Sequence, residues 1–150
     1  MATFNKINDF VEHVNEGTHN MSADQLELAL SNTAPGSEAS DPSADGNGIL
    51  GNVTQIAYTN LSARTLTLDA SGQTAGLYTL SLDDITLSAS GGAVAAFQYI
   101  YIFNQAATAP VDALIGYYDY GSALTLQDGE SLTIDFGADG PTTGALYTMT

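Results

Sequence analysis

The run of residues 97–103, FQYIYIF, constrains the fold more than any other part of the sequence. An extended strand places alternate residues on opposite faces. One face of this run would carry Phe97, Tyr99, Tyr101 and Phe103, and the other Ile100 and Ile102. A strand that is apolar on both faces is either central in a sheet or covered by a second layer. The sequence therefore predicts a β-sheet domain with a buried aromatic strand over residues 96–104.

Shorter alternating runs, separated by turn residues, lie on both sides of this strand. Two-residue alternation indicates a half-buried strand. Asp-Gly between two such runs indicates a hairpin, and Asp128-Gly129 lies between runs at 124–126 and 132–136. The other predicted strands cover residues 26–31, 65–69, 77–82, 85–89, 113–120 and 145–150. About eight strands with Gly-rich turns predict a mainly β fold, a single antiparallel β-sandwich or jelly-roll-like domain with one N-terminal α-helix.

The N-terminal segment follows a helical period instead. Its apolar residues, spaced three and four positions apart with one adjoining, are Phe4, Ile7, Phe10, Val11 and Val14. This spacing predicts an amphipathic helix over roughly residues 4–16, which ends at Gly17. A helix of this length does not persist alone. It must therefore dock either on its own domain or on a neighbouring subunit.

At 150 residues the chain is predicted to form one domain with a core of its own. Its predicted parts are the N-terminal helix in 1–17, a first strand region in 18–31, a long loop or arm in 32–48 and the β-sandwich body in 49–150. The loop has no periodicity and contains Pro35, Pro42 and many small polar residues. Structureless stretches of this length tend to be either functional or disordered. If the loop is ordered, we expect it to lie across a partner.

The charge balance excludes two classes of partner. Seventeen acidic residues face only two basic ones, Lys6 and Arg64, which gives a net charge of −15. Nucleic acids and anionic membranes are bound through clusters of Lys and Arg, so neither is expected as a partner. The charge favours solubility and repulsion between copies before assembly. The chain has no cysteine, which excludes disulfides. Neither a secretory leader nor a membrane-spanning segment is expected from its apolar runs.

Few side chains in the sequence are suited to catalysis or to metal binding. His13 and His19 are the only imidazoles, and neither lies in a catalytic motif. Asp41, Asp45 and the Asp83-Asp84 pair could contribute to a calcium site, but solvated turn aspartates explain them as well. We therefore predict no enzymatic activity, no catalytic or metal-binding residues and no cofactor.

A protein–protein interface is the remaining type of site. The candidates are the apolar face of the helix, the loop prolines and the tyrosines. A sandwich core with cross-strand aromatic pairs is the first explanation of the tyrosines, and an interface or a sugar-binding platform is the alternative. The candidate interface residues are Phe4, Ile7, Phe10, Val11, Val14, Pro35, Pro42, Tyr99, Tyr101, Tyr117, Tyr118 and Tyr120.

Six stretches, in order along the chain, carry a resemblance to a known family. They are residues 1–12, 28–35, 53–62, 87–94, 114–121 and 126–136, with sequences such as LIGYYDYG and LQDGESLTIDF. The chain resembles the small structural proteins of tailed-phage virions that are encoded beside the major capsid gene.

The resemblance implies a virion protein without catalytic residues. We expect a capsid decoration or cement protein, made in the host cytoplasm and located on the capsid surface. Its partners would be the major capsid protein and neighbouring copies of itself, so that it is a homo-oligomer in the assembled particle. A neck or tail protein, or an adhesin that binds host glycans, is the alternative. An enzyme or a calcium-dependent lectin is a third, more distant hypothesis.

Overall fold

The computed structural model describes residues 2–36, 41–136 and 143–150, and these ranges contain nine strands and one α-helix. The strands are β1 (Phe4–Lys6), β2 (Leu26–Ser31), β3 (Leu68–Thr74), β4 (Leu77–Asp83), β5 (Ile85–Ser88), β6 (Phe97–Asn104), β7 (Leu114–Leu124), β8 (Ser131–Ile134) and β9 (Thr143–Met149). The helix α1 covers Asp9–Asn15, and a short 3₁₀ turn covers Leu50–Asn52. The prediction of a mainly β fold with one helix near the N-terminus is confirmed.

The strands form three antiparallel sheets. The largest has the order β1-β7-β6-β2, the second has the order β3-β4-β9, and β5 pairs with β8 in the third. Strand β6 lies inside the largest sheet, between β2 and β7. The central position predicted for the aromatic strand is therefore confirmed.

The main hydrophobic core lies between the largest sheet and the two smaller ones. Ile100 and Ile102 of β6 are fully buried in it, together with Leu80 of β4 and Leu87 of β5. Phe10 of α1 joins the same cluster. Burying a large apolar side chain contributes about 1.5–3 kcal/mol, so this cluster supplies much of the free energy that holds the sheets together.

A second cluster covers the opposite face of the largest sheet. Tyr101 is fully buried there, beside Val53 from the 49–56 segment and Ile7 from the segment before α1. The Tyr101 hydroxyl donates a hydrogen bond to the Thr33 carbonyl at 3.3 Å. The second layer that an apolar strand requires is thus built from loop residues rather than from another sheet.

Phe97 does not share a face with the tyrosines of β6, and the prediction that it does is wrong. The pairing of β6 with β7 shifts register between Phe97 and Tyr99, because Phe97 lies opposite Leu124 while Tyr99 lies opposite Asp119. The extra residues of β7 break the alternation at this point. Phe97 is consequently buried in the main core, whereas Tyr99 belongs to the second cluster.

The predicted helix over residues 4–16 is wrong in its first part. Phe4–Lys6 form strand β1, in which Phe4 lies opposite Tyr118 and Lys6 lies opposite Gly116. A Cβ atom at Gly116 would overlap the Phe4 ring and the Asn5 carbonyl. The missing side chain therefore lets β1 pair with β7, and those ladder hydrogen bonds replace the first helical turn. The helix begins only after Asn8.

The described parts of the 32–48 loop lie on the chain itself. Pro35 and Pro42 are buried. The Asn8 side-chain amide donates to the Ser43 carbonyl at 2.7 Å, and the Leu114 amide donates to the Gly48 carbonyl at 2.8 Å. These parts therefore pack on the chain's own domain, and their contact with a partner stays a prediction. The remaining positions of the loop, 37–40, lie outside the described residues.

The hairpin predicted around Asp128-Gly129 is also wrong. The turn forms, since the Glu130 amide donates to the Gln127 carbonyl at 2.9 Å. However, β8 pairs with β5, with Ile134 opposite Ile85. The Leu126 carbonyl instead accepts from the Val94 amide. Long-range pairing thus overrides the local turn signal.

The strand predicted at 65–69 is shifted along the chain. Strand β3 begins at Leu68 and pairs with β4. Thr65 makes only an isolated bridge to Glu27, while Leu66 is buried in the main core.

Candidate functional site

Most of the predicted interface residues are part of the chain's own core. Ile7, Phe10 and Tyr101 are fully buried or nearly so. Tyr99 and Tyr118 are also buried. The helix therefore docks on its own domain, which was one of the two alternatives that the sequence left open.

The tyrosines do not form one platform. Tyr117 lies opposite Tyr101 and packs on the second cluster, with ring centroids 5.7 Å apart. Tyr118 lies on the main-core side, where burial raises the pKa of its hydroxyl above the usual range. Tyr120 is half-buried against the main core. The sheet thus separates these side chains onto two faces.

The two histidines are close to each other at the base of α1. Their ring centroids are 5.8 Å apart, and the His19 ring packs on Phe10 at 5.4 Å. The Asn104 side-chain amide donates to His19 Nδ1 at 3.0 Å and to Asp24 Oδ2 at 2.6 Å. Because His19 Nδ1 accepts this bond, the neutral ring carries its proton on Nε2.

Burial makes His19 a weak base. Desolvation, followed by the nearby His13, lowers the pKa of His19 to about 4, against the opposing effect of Asp24. His19 is therefore neutral near pH 7. Its Nε2 and the His13 Nδ1 are buried without a hydrogen-bond partner among the described residues. This arrangement fits a structural contact between α1 and β6.

Two of the aspartates considered for calcium accept hydrogen bonds from the chain itself. Asp41 Oδ1 accepts from the amide and the hydroxyl of Ser43, and Asp84 Oδ1 accepts from the Phe136 amide at 3.1 Å. In the ranges that the structure describes, no three His, Asp or Glu side chains converge on a position that could hold a metal ion.

Arg64, one of the two basic residues, makes contacts that stabilise the fold. The Arg64 guanidinium forms an ion pair with Glu27 at 2.7 Å and lies 3.7 Å above the Tyr58 ring centroid. It also donates to the Leu28 carbonyl. Lys6, on the edge strand β1, is exposed. The described surface therefore presents a single basic side chain against many acidic ones.

An open groove runs between α1 and β9, and we call it the α1–β9 groove. It has a volume of about 570 Å³. Its lining residues are Phe4, Lys6, Phe10, Val11, Asn15 and Tyr147–Thr150. Val11 is 44% exposed at its rim, where it lies beside the other apolar lining residues of the groove.

The Tyr147 ring lies at the base of the groove. It meets the Phe10 ring edge-on at a centroid distance of 5.1 Å, and the Tyr78 ring lies 5.9 Å away. Burial raises the pKa of the Tyr147 hydroxyl, as does the neighbouring Tyr78. The ring therefore stays neutral and offers an apolar surface.

Sequence reasoning identified one side of this groove and missed the other. Phe4, Phe10 and Val11 were candidate interface residues, but Tyr147 and Met149 were not. The sequence around Ala145, Tyr147 and Met149 predicted a strand. It did not predict that this strand would lie beside the helix. That relationship depends on pairing with β4, far away in sequence.

No helix within the described ranges is both long and apolar enough to span a bilayer. A scan against protein-family models, a search of curated proteins and a search of solved structures each found no match to this chain.

Proposed function

We propose that this chain is a non-enzymatic structural protein of a tailed-phage virion. Its role would be that of a capsid decoration or cement protein, which binds the outer surface of the major capsid lattice and stabilises the head. The sequence resemblance supports the virion assignment. The surface supports a binding role, since it combines a net charge of −15 with an open apolar groove.

The observation that carries a binding role is the exposed apolar lining of the α1–β9 groove. Large apolar side chains at a rim lose unfavourable contact with water when a partner covers them. A contact of about 800 Å² per partner gives a stable complex. Attachment of many copies to a repeating lattice strengthens the whole assembly further.

The experiment is quantitative mass spectrometry of purified particles of the phage that encodes the chain. A decoration protein should be present in a copy number comparable with that of the major capsid protein. Cryo-electron microscopy should then show it distributed over the shell. Absence of the chain from washed particles would refute the proposal.

The same experiment tests the alternative role. A neck, tail or host-adhesin protein would be present in few copies at one vertex. The half-exposed Tyr117 and Tyr120 are the tyrosines that could reach a glycan. A glycan array with Tyr117→Ala and Tyr120→Ala variants would test the adhesin version.

A further inference from the structure

Two strand edges flank the α1–β9 groove. Strand β1 pairs with β7 and strand β9 pairs with β4, and each is the outermost strand of its sheet within the described ranges. The outer edge of such a strand presents unpaired backbone N–H and C=O groups. These two edges lie beside the groove through Phe4 and Lys6 of β1 and Tyr147–Met149 of β9, so an added strand would meet both backbone groups and apolar side chains there.

The β9 edge is long enough to pair with an extended peptide, and its last three residues, Tyr147–Met149, line the groove. Strand β9 has seven residues, Thr143–Met149, which at about 3.3 Å per residue span roughly 23 Å. In a strand added along this edge, alternate side chains would point toward the groove. Those side chains would meet Val11, Tyr147 and Met149.

The net charge of the chain favours a basic segment over a second copy of the chain as the occupant of the groove. A second copy of this chain carries the same net charge of −15, so like-charge repulsion disfavours it. A basic segment is attracted to the protein as a whole. Among the described residues that line the groove, Lys6 is the one with a charged side chain, so the apolar side chains of the segment would enter the groove and its basic side chains would face away from it.

We propose that the α1–β9 groove binds an extended, basic segment of a partner protein, which adds as a strand along β9 and inserts alternate apolar side chains beside Val11. This is strand addition to an exposed sheet edge, in which backbone hydrogen bonds give affinity and side-chain positions give specificity. The proposal deepens the proposed function, on which it rests for the source of the segment.

A random library of displayed peptides, selected on the purified full chain, tests the groove directly. The selected peptides should alternate apolar residues with Lys or Arg. Synthetic versions should slow hydrogen exchange of backbone amides in β9 when they bind. Slowing confined to another part of the chain would overturn the proposal, as would enrichment of acidic peptides or of none.

Two matched valine variants locate the site. Val11 lies in the groove and is 44% exposed, whereas Val111 lies outside its lining and is 60% exposed. Val11→Asp should weaken peptide binding by about tenfold or more, and Val111→Asp should leave it within about twofold. Both substitutions are at exposed positions, and matching melting temperatures would show that the fold is retained. Equal binding by the two variants would refute the groove as the site.

Sedimentation of the wild-type chain alone tests the rival occupant. The chain should remain monomeric at micromolar concentration. A dimer that Val11→Asp dissociates would overturn the proposal and assign the groove to a second copy.

Particle assembly separates this proposal from the proposed function. If the wild-type chain and Val11→Asp both attach fully to particles, the groove proposal fails and the structural role stands. If the wild-type chain is absent from particles, the structural role fails, and the peptide experiment still decides what the groove binds.

Discussion

Asp9 in the first turn of α1 accepts a hydrogen bond from the amide of Gly48 at 2.8 Å, across 39 positions of sequence. Its second oxygen accepts from the Gly46 amide at 2.9 Å. Asp9 is only 6% exposed, and a Cβ atom at Gly48 would lie 2.9 Å from the carboxylate. This carboxylate fixes the end of the 32–48 loop to the helix.

Replacing Asp9 with Ala should therefore destabilise the fold. Two loop amides would lose a charged acceptor, and we expect a loss of about 2–4 kcal/mol in the free energy of unfolding. Asp9→Asn should lose less, because one oxygen can still accept. Urea denaturation measures the effect. Asp45→Ala, an exposed aspartate of the same loop, is the control and should change stability by less than about 0.5 kcal/mol.

Gly116→Ala should displace the edge strand β1. The added methyl group would overlap the Phe4 ring and the Asn5 carbonyl, and overpacking of this kind costs about 1–3 kcal/mol. Hydrogen exchange at residues 4–7 should become faster, including at the Ile7 amide, which donates to the Ile115 carbonyl at 3.0 Å.

The matched control for this variant is Gly72→Ala. Gly72 lies in strand β3 with open space where its Cβ atom would be, so an added methyl group should leave stability unchanged or slightly higher. If the two variants have the same stability, the packing of Phe4 on β7 does not prevent a larger residue at position 116, and the prediction fails.

Period-two alternation predicted closely the two strands that are buried on both faces. The predicted strands at 96–104 and 26–31 match β6 and β2 within one residue at each end, because packing and local preference agree there. The N-terminal helix failed at Phe4 because the alternative partner of that segment, β7, is more than a hundred residues away.

The groove could not be predicted for a related reason. Whether the edge of a strand is unpaired depends on the order of the strands in its sheet. That order is set by pairing between residues far apart in sequence. The hairpin signal at Asp128-Gly129 shows the same effect, since the turn is local and correct while the partner of β8 is β5. Apolar character was visible at Val11, but its exposure follows from where β9 lies.

Arg64→Lys should destabilise the chain although the charge is retained. The guanidinium stacks on Tyr58, pairs with Glu27 and donates to the Leu28 carbonyl in one geometry. A lysine ammonium cannot stack or donate in this fork, and we expect a loss of about 1–3 kcal/mol. Thermal unfolding measures it. Lys6→Arg, at the other basic position, is exposed and should have no measurable effect on the melting temperature.

A double-mutant cycle isolates the ion pair. Glu27→Gln in an Arg64→Gln background should cost less than Glu27→Gln alone, because the two charged side chains interact directly. Strict additivity of the two losses would show that Arg64 contributes through Tyr58 and the Leu28 carbonyl rather than through Glu27.

The stability of the chain should depend on pH through His19. Its pKa in the folded chain is lowered to about 4 from 6.5, chiefly by burial. The unfolded chain therefore takes up a proton first as the pH falls. His19 should destabilise the fold progressively between about pH 6.5 and pH 4 and contribute no further change below that range. The full effect should be roughly 1–3 kcal/mol.

His19→Gln should remove this component of the pH dependence. The groups that face His19 are His13 of α1, Asp24 and the Asn104 amide of β6. Protonation of the many acidic residues acts in the opposite direction, because it relieves repulsion in a chain of net charge −15. The measurement is therefore the difference in unfolding free energy between wild type and variant, followed from pH 7 to pH 4. As the pH falls, the wild type should lose stability relative to the His19→Gln variant. A difference that stays constant would show that His19 does not titrate with a lowered pKa.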